Sequence, residues 1–147
     1  MQDAAAACNL ALVLHGAIVL LLGQGAGYAF FRTINASPQD ATRTGMWRMS
    51  HAATSAGAVL LFALAPIVPR LDIAPGLSGF LVAVLIASTY ALSLGTIAAA
   101  LTGHRGTSAR RPASNVLVYG LYLAGALGST AGGLVLLYGA ARSYLAP

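Results

Sequence analysis

The sequence predicts an all-α membrane protein, four transmembrane helices in an antiparallel bundle, and three observations carry that reading. Of 147 residues, 58% are hydrophobic and only 7% are charged, against roughly 25% charged in soluble domains. A soluble domain cannot cover itself with so few charges, whereas a bilayer-embedded one need not. Four apolar runs each reach the ~20 residues that cross ~30 Å of hydrocarbon. The links between them are short and polar, which favours neighbours packed antiparallel. No alternation over about ten residues marks a barrel, and an isolated strand in lipid leaves its backbone unpaired. The whole chain, 1–147, reads as a single integral membrane domain.

The first helix is expected over about residues 4–31, with no charge after Asp3. Its start lacks the basic segment of a cleaved signal peptide, so it is expected to remain. The link from Arg32 to Met46 carries Asn35, Ser37, Pro38, Asp40 and Gly45, all of them turn or cap residues. The second helix is expected over about 47–68, closed by a hairpin at Pro69-Arg70-Leu71-Asp72. The third follows over about 73–102. Gly103 to Pro112, with His104, Arg105, Arg110 and Arg111, then leads to a fourth over about 113–141.

All eight basic residues are arginine and all three acids are aspartate. Arg32, Arg43, Arg48, Arg105, Arg110 and Arg111 fall at one end of the bundle, and only Arg70 and Arg142 at the other. The positive-inside rule then places the first and third links in the cytoplasm, on the inner face of the cell membrane, and both termini outside. These arginines suit anionic lipid headgroups. They do not form a nucleic-acid footprint, and no nucleic-acid partner is expected. Cys8 is alone, which excludes an intrachain disulfide and a thiolate metal site; it reads as a small buried hydrophobe. Gly23 and Gly27, and Ala124, Gly128 and Gly132, recur at four-residue spacing. Such spacing serves close helix packing, either inside one bundle or between subunits.

Polar side chains within the spans are the candidates for function. They include Asn9, His15 and Gln24; Ser50, His51, Thr54 and Ser55; Ser88, Thr89, Tyr90, Ser93 and Thr96; and Asn115, Tyr119, Tyr122, Ser129, Thr130 and Tyr138. No carboxylate lies inside any span, which removes most acid–base hydrolysis and Asp/Glu proton relays. No Ser/His/Asp set, HxxxH, CxxC or phosphate-binding loop is present. A site must rest on histidine, hydroxyls or a cofactor.

A neutral imidazole is a common axial ligand of haem iron, and an apolar bundle suits a porphyrin. His51 follows Trp47 by one turn and precedes Ser55 by one turn, so the three share a face. The alternative is an interface histidine with Trp47 as an aromatic-belt anchor. His15 and His51 should differ in depth by roughly 10–15 Å at 1.5 Å per residue. Two imidazoles on one iron need nitrogens only about 4 Å apart. A haem here is therefore expected to be five-coordinate, with an open position for a substrate. His104 is expected to be solvated in its basic loop.

Together these residues resemble the styrene oxide isomerase family of membrane haem b enzymes. His15-Gly16 opens an apolar helix closed by Gly25 and Gly27; Trp47 precedes His51; an apolar run leads to Pro69 and on to Arg105-Gly106. The resemblance covers roughly residues 12 to 106, and helix four matches only in apolar character. It implies His51 as the axial haem ligand, with Trp47, Ser55 and Arg48 around the cofactor. It also implies a homotrimer with haem near the subunit contacts and a small hydrophobic substrate within membrane lipid. The implied reaction is a Meinwald rearrangement. Ferric iron acts as a Lewis acid on an epoxide oxygen, the C–O bond opens, and a 1,2-hydride shift yields a carbonyl compound. Such chemistry needs a dry pocket, since water would trap the cation.

This sequence departs from the family at several positions. An arginine two residues before the ligand becomes Met49, with Arg48 adjacent. Family asparagines fall on Gly57 and Leu92, a tyrosine on Thr96, and a tryptophan on Tyr90. The resemblance thus assigns the substrate side to Thr96, Tyr90, Leu92 and Gly57, in a pocket more apolar and larger at Gly57. Two rivals stand beside the isomerase. One is a haem protein of this scaffold without isomerase activity, such as a sensor, carrier or electron-transfer subunit. The other is a four-helix membrane protein without a cofactor.

Overall fold

Four long helices account for nearly all of the chain. The structure, a computed structural model, describes residues 2–145, with side chains from residue 6 onward. They are α1 (Gln2–Ile34), α2 (Ala41–Leu64), α3 (Pro75–Thr102) and α4 (Ala113–Leu145), with one 3₁₀ turn at Val68–Arg70. Each helix is long and apolar enough to cross a membrane. They form an antiparallel bundle in which α1, α2 and α3 pack against one another and α4 packs chiefly on α3.

The second helix differs most from the sequence expectation of 47–68. It begins six residues earlier, because the Asp40 carboxylate caps its first turn and accepts from the Arg43 amide at 3.0 Å. That bond satisfies an otherwise free N–H, so the polar turn before Trp47 is helical. It ends at Leu64 although the apolar run continues: Ala65 keeps helical backbone, but Pro66 has no N–H to donate to the carbonyl four residues back, and the chain tightens into a 3₁₀ turn. Proline also opens α3, with Pro75 in its first turn, and Gly103 ends that helix at φ 75° with its amide on the Ala99 carbonyl at 2.8 Å.

Two apolar clusters hold the three-helix core. The larger joins Leu12, Val19, Ala58, Leu61, Leu81 and Leu85, with Cys8 at its edge. The smaller lies nearer the arginine-rich end and joins Ala26, Met46, Trp47 and Ala100. Trp47 is therefore packed inside the bundle and is not a belt anchor. The loop before α4 is tied down by Asn115, which accepts from the Gly106 amide and donates to the carbonyls of Ser108 and Arg110. His104 is half-buried there, with Nδ1 3.1 Å from the Ser114 hydroxyl, rather than free in solvent.

The small-residue spacings serve contacts within the chain. An ideal Cβ on Gly23 would fall 2.8 Å from Ser55 Oγ, and one on Gly27 2.8 Å from His51 Nδ1. Gly128 and Gly132 meet Ser88 and Leu85 of α3 in the same way. Ala124 is exposed, and Gly125 takes its place in the seam, against Leu92.

Candidate functional site

His51 stands where glycines of α1 let α2 approach closely. Its Nδ1 lies 2.8 Å from the Gly23 carbonyl oxygen. A carbonyl can only accept, so Nδ1 carries the proton and Nε2 keeps its lone pair. Nε2 has no hydrogen-bond partner among the described residues, and it is not among the buried unpaired atoms. Gly27 makes room for the ring: a side chain there would displace Nδ1 and Cε1. Two glycines and one carbonyl thus orient an imidazole with a free ligating nitrogen.

Its neighbours fall as the helix period requires. Trp47 is buried one turn before, against Ala26, Met46 and Ala100. Ser55 follows one turn after, its hydroxyl buried without a partner, as are those of Ser50 and Thr54. Arg48 is exposed beside this face.

Two cavities open on the other side of α2, where α4 stands away and α3 forms the floor. One, of about 650 Å³ near the arginine-rich end, is lined by Met46, Met49, Ala53, Thr96, Arg105 and Tyr122 among others. The second, of about 340 Å³, runs deeper past Ala53, Gly57, Thr89, Leu92, Ser93 and Ser129. Ala53 borders both. Gly57 does not enlarge this space: a Cβ there would lie 2.9 Å from the Thr89 methyl, so the glycine lets α2 and α3 close together.

The structure therefore places Gly57 and Leu92 on the deeper cavity and Thr96 on the larger one, the two meeting at Ala53, while His51, Trp47, Ser55 and Arg48 belong to other faces of α2. Tyr90 joins neither set. Its hydroxyl meets His15 Nδ1 at 3.1 Å, with the two rings edge to face at 5.6 Å between centroids. Met49, Ala53, Arg105 and Tyr122 line the larger cavity without standing out as site residues in the sequence. Tyr122 gave a signal as a polar aromatic within a span, and Met49 and Arg105, the latter otherwise a loop arginine, entered only through the family resemblance.

The sequence profile of the styrene oxide isomerase family matches residues 8–141. The chain belongs to the styrene oxide isomerase family. The match carries the likeness into α4, beyond the segment that spacing alone made recognisable. A comparison with curated proteins gives no match. The family's name marks its members as isomerases.

A haem suits what this isomerase-family chain offers. Among the described residues, no three His, Cys, Asp or Glu side chains come together, so a bare metal ion would find no ligand set. A porphyrin brings its own four nitrogens and asks the protein for one axial ligand. His51, with its tautomer fixed through Nδ1, offers a nitrogen of the kind such a ligand needs.

Proposed function

We propose that this chain is a membrane haem b-dependent isomerase that rearranges a hydrophobic epoxide to a carbonyl compound. The observation that carries this reading is the His51–Gly23 hydrogen bond, which leaves Nε2 free to ligate. When bound there, haem supplies a Lewis acid for the epoxide oxygen with no change of oxidation state. His51 holds and orients it. Trp47 and Ser55 keep the His51 face of α2 packed, and Arg48 lies beside it as a cation for carboxylate groups at the cofactor's edge.

The groove side keeps the reaction dry. The hydroxyls of Ser88, Thr89, Thr96 and Ser129 all donate to carbonyls of their own helices, at 2.7–3.1 Å. With their protons committed and no carboxylate among the residues that line the two cavities, these four hydroxyls do not activate water. A carbocation formed in the groove therefore persists long enough for its hydride shift.

His51 and the groove lie on different faces of α2, so one copy of the chain does not complete the site. In the proposed assembly, a homotrimer, His51 of one copy faces the groove of its neighbour. His15 takes no part in ligation: Gly23 receives His51 two turns along α1 from His15, about 12 Å at 1.5 Å per residue. The arginine-rich end is proposed to face the cytoplasm from the cell (inner) membrane, with the termini outside.

An absorption spectrum of detergent-purified protein tests the cofactor. The wild type should show a Soret band that His51→Ala abolishes. Colourless wild-type protein, expressed with ample haem, would sink the reading. Gas chromatography of apolar epoxides incubated with the coloured protein tests the reaction. Co-expression tests the shared site: His51→Ala and a groove-filling Ala53→Phe should each be inactive, and activity should return in mixed oligomers. No recovery would mean that each copy holds a whole site.

A further inference from the structure

We infer that Tyr122 of α4 is the hydrogen-bond donor that holds the epoxide oxygen in the larger cavity. The inference rests on the isomerase reading above and adds a residue that neither sequence spacing nor family membership assigns.

The polar lining of that cavity leaves few choices. Thr42 and Arg105 are exposed at its loop end. Thr96 is buried, but its hydroxyl proton goes to the Ser93 carbonyl at 2.9 Å. Tyr122 is half-buried, nine residues into α4, which sets it roughly 13 Å below the start of that helix. Its hydroxyl makes no hydrogen bond among the described residues and is not one of the buried unpaired atoms, so it is accessible, on a residue that lines the cavity. It is thus the donor available at the depth of Thr96 and Ala53, within one turn of His51 along α2.

Its ring is also fixed. A Cβ on Gly95 would fall 2.9 Å from both Cδ1 and Cε1 of Tyr122 and 3.3 Å from the Leu121 Cβ. The glycine on α3 is a seat for the ring, and the hydroxyl extends from that seat. A donor held in advance stabilises charge that develops during reaction without reorganising.

Its part in the reaction needs no co-reactant. The phenol donates a hydrogen bond to the epoxide oxygen. As the C–O bond breaks, the electron pair stays on oxygen and that hydrogen bond strengthens. A hydride moves with its electron pair from the oxygen-bearing carbon to the adjacent cation, and the oxygen closes the C=O bond. Tyr122 keeps its proton throughout, and product and substrate have the same atoms.

Steady-state kinetics and a Soret titration of purified holoprotein test this. Tyr122→Phe should keep the Soret band while kcat/KM falls by roughly 10- to 100-fold, a donor's share of charge stabilisation. Gly95→Ala, which unseats the ring but keeps the phenol, should lower kcat/KM in the same direction, whereas Tyr144→Phe at the far end should change nothing. Titration with the unreactive cyclic ether 2-phenyltetrahydrofuran should show weaker binding to Tyr122→Phe than to wild type. If wild type turns over epoxides and Tyr122→Phe matches it, the assignment of Tyr122 is overturned and the isomerase reading stands. If wild type turns over no epoxide but binds the ether in a Tyr122-dependent way, the isomerase reading fails and the donor role survives. Equal ether affinity in both proteins overturns the donor role.

Discussion

The two sides of α2 are built in opposite ways. Toward α1 it meets glycines: Phe62 lies against Gly16, Ser55 against Gly23 and His51 against Gly27. The backbones approach so closely that a carbonyl of one helix reaches the imidazole of the other. On the other side, past Ala53, Ala56 and Gly57, α4 stands off and leaves two cavities. One side is a socket with no room for a methyl group, and the other is space for something mobile. A cofactor ligand needs fixed geometry, while a substrate needs room to enter and leave, so the chain divides these demands between faces of one helix.

The largest effect should come from breaking the socket. In Gly27→Ala the new Cβ would lie 2.8 Å from His51 Nδ1 and 3.0 Å from Cε1. The ring must leave the Gly23 carbonyl or the helices must part. Overpacking of this kind costs about 1–3 kcal/mol, and loss of a ligand's orienting partner costs about 10- to 100-fold in metal affinity. Haem retained through purification should drop accordingly, read as the Soret-to-protein absorbance ratio, and the unfolding temperature should fall with it. Full haem content in Gly27→Ala would mean that the glycine seam does not set the ligand.

How much of this contrast the sequence shows depends on what kind of signal each residue leaves. The four spans are visible because hydrocarbon thickness sets the length of an apolar run. His51 is visible because an imidazole within such a run is costly without a role. The partners of Gly23 and Gly27 are not, since small-residue spacing marks a flat surface without saying what covers it. Tyr90 is a different case. It is expected beside Thr96 and Leu92 but turns to His15: Thr89, Ser93 and Thr96 recur at i, i+4 and i+7 on one buried face of α3, and Tyr90 lies one residue, about 100°, off that stripe. Tyr122 is hidden: it meets the cavity of Thr96 only through the packing of α4 on Gly95.

A smaller effect should follow from filling the open side. Ala56 borders the deeper cavity and is exposed there. Ala56→Leu adds bulk without displacing backbone, so the unfolding temperature and the Soret band should stay at wild-type values. KM for an apolar epoxide should rise roughly tenfold, the range that a few methylenes in an apolar pocket command. A lost Soret band in this variant would show that the cofactor, and not the substrate alone, reaches into this cavity, and the division between the faces would have to be redrawn.

The smallest effect concerns the other intramembrane histidine. His15 and His51 are both half-buried imidazoles whose Nδ1 is engaged at a helix–helix contact. They differ in partner. The Gly23 carbonyl fixes one tautomer of His51, whereas the Tyr90 hydroxyl can donate or accept, so His15 is held without its protonation pattern being set. His15 is therefore suited to joining α1 to α3 and not to ligation. His15→Phe keeps the ring and its edge-to-face contact while removing one interhelical hydrogen bond. Such bonds in membrane bundles average about 0.6 kcal/mol, which should lower the unfolding temperature slightly and leave haem content and turnover unchanged. A Soret shift in His15→Phe would place His15 within reach of the iron, and the separation of about 12 Å between the two imidazoles, from the 1.5 Å helical rise, would no longer describe the working assembly.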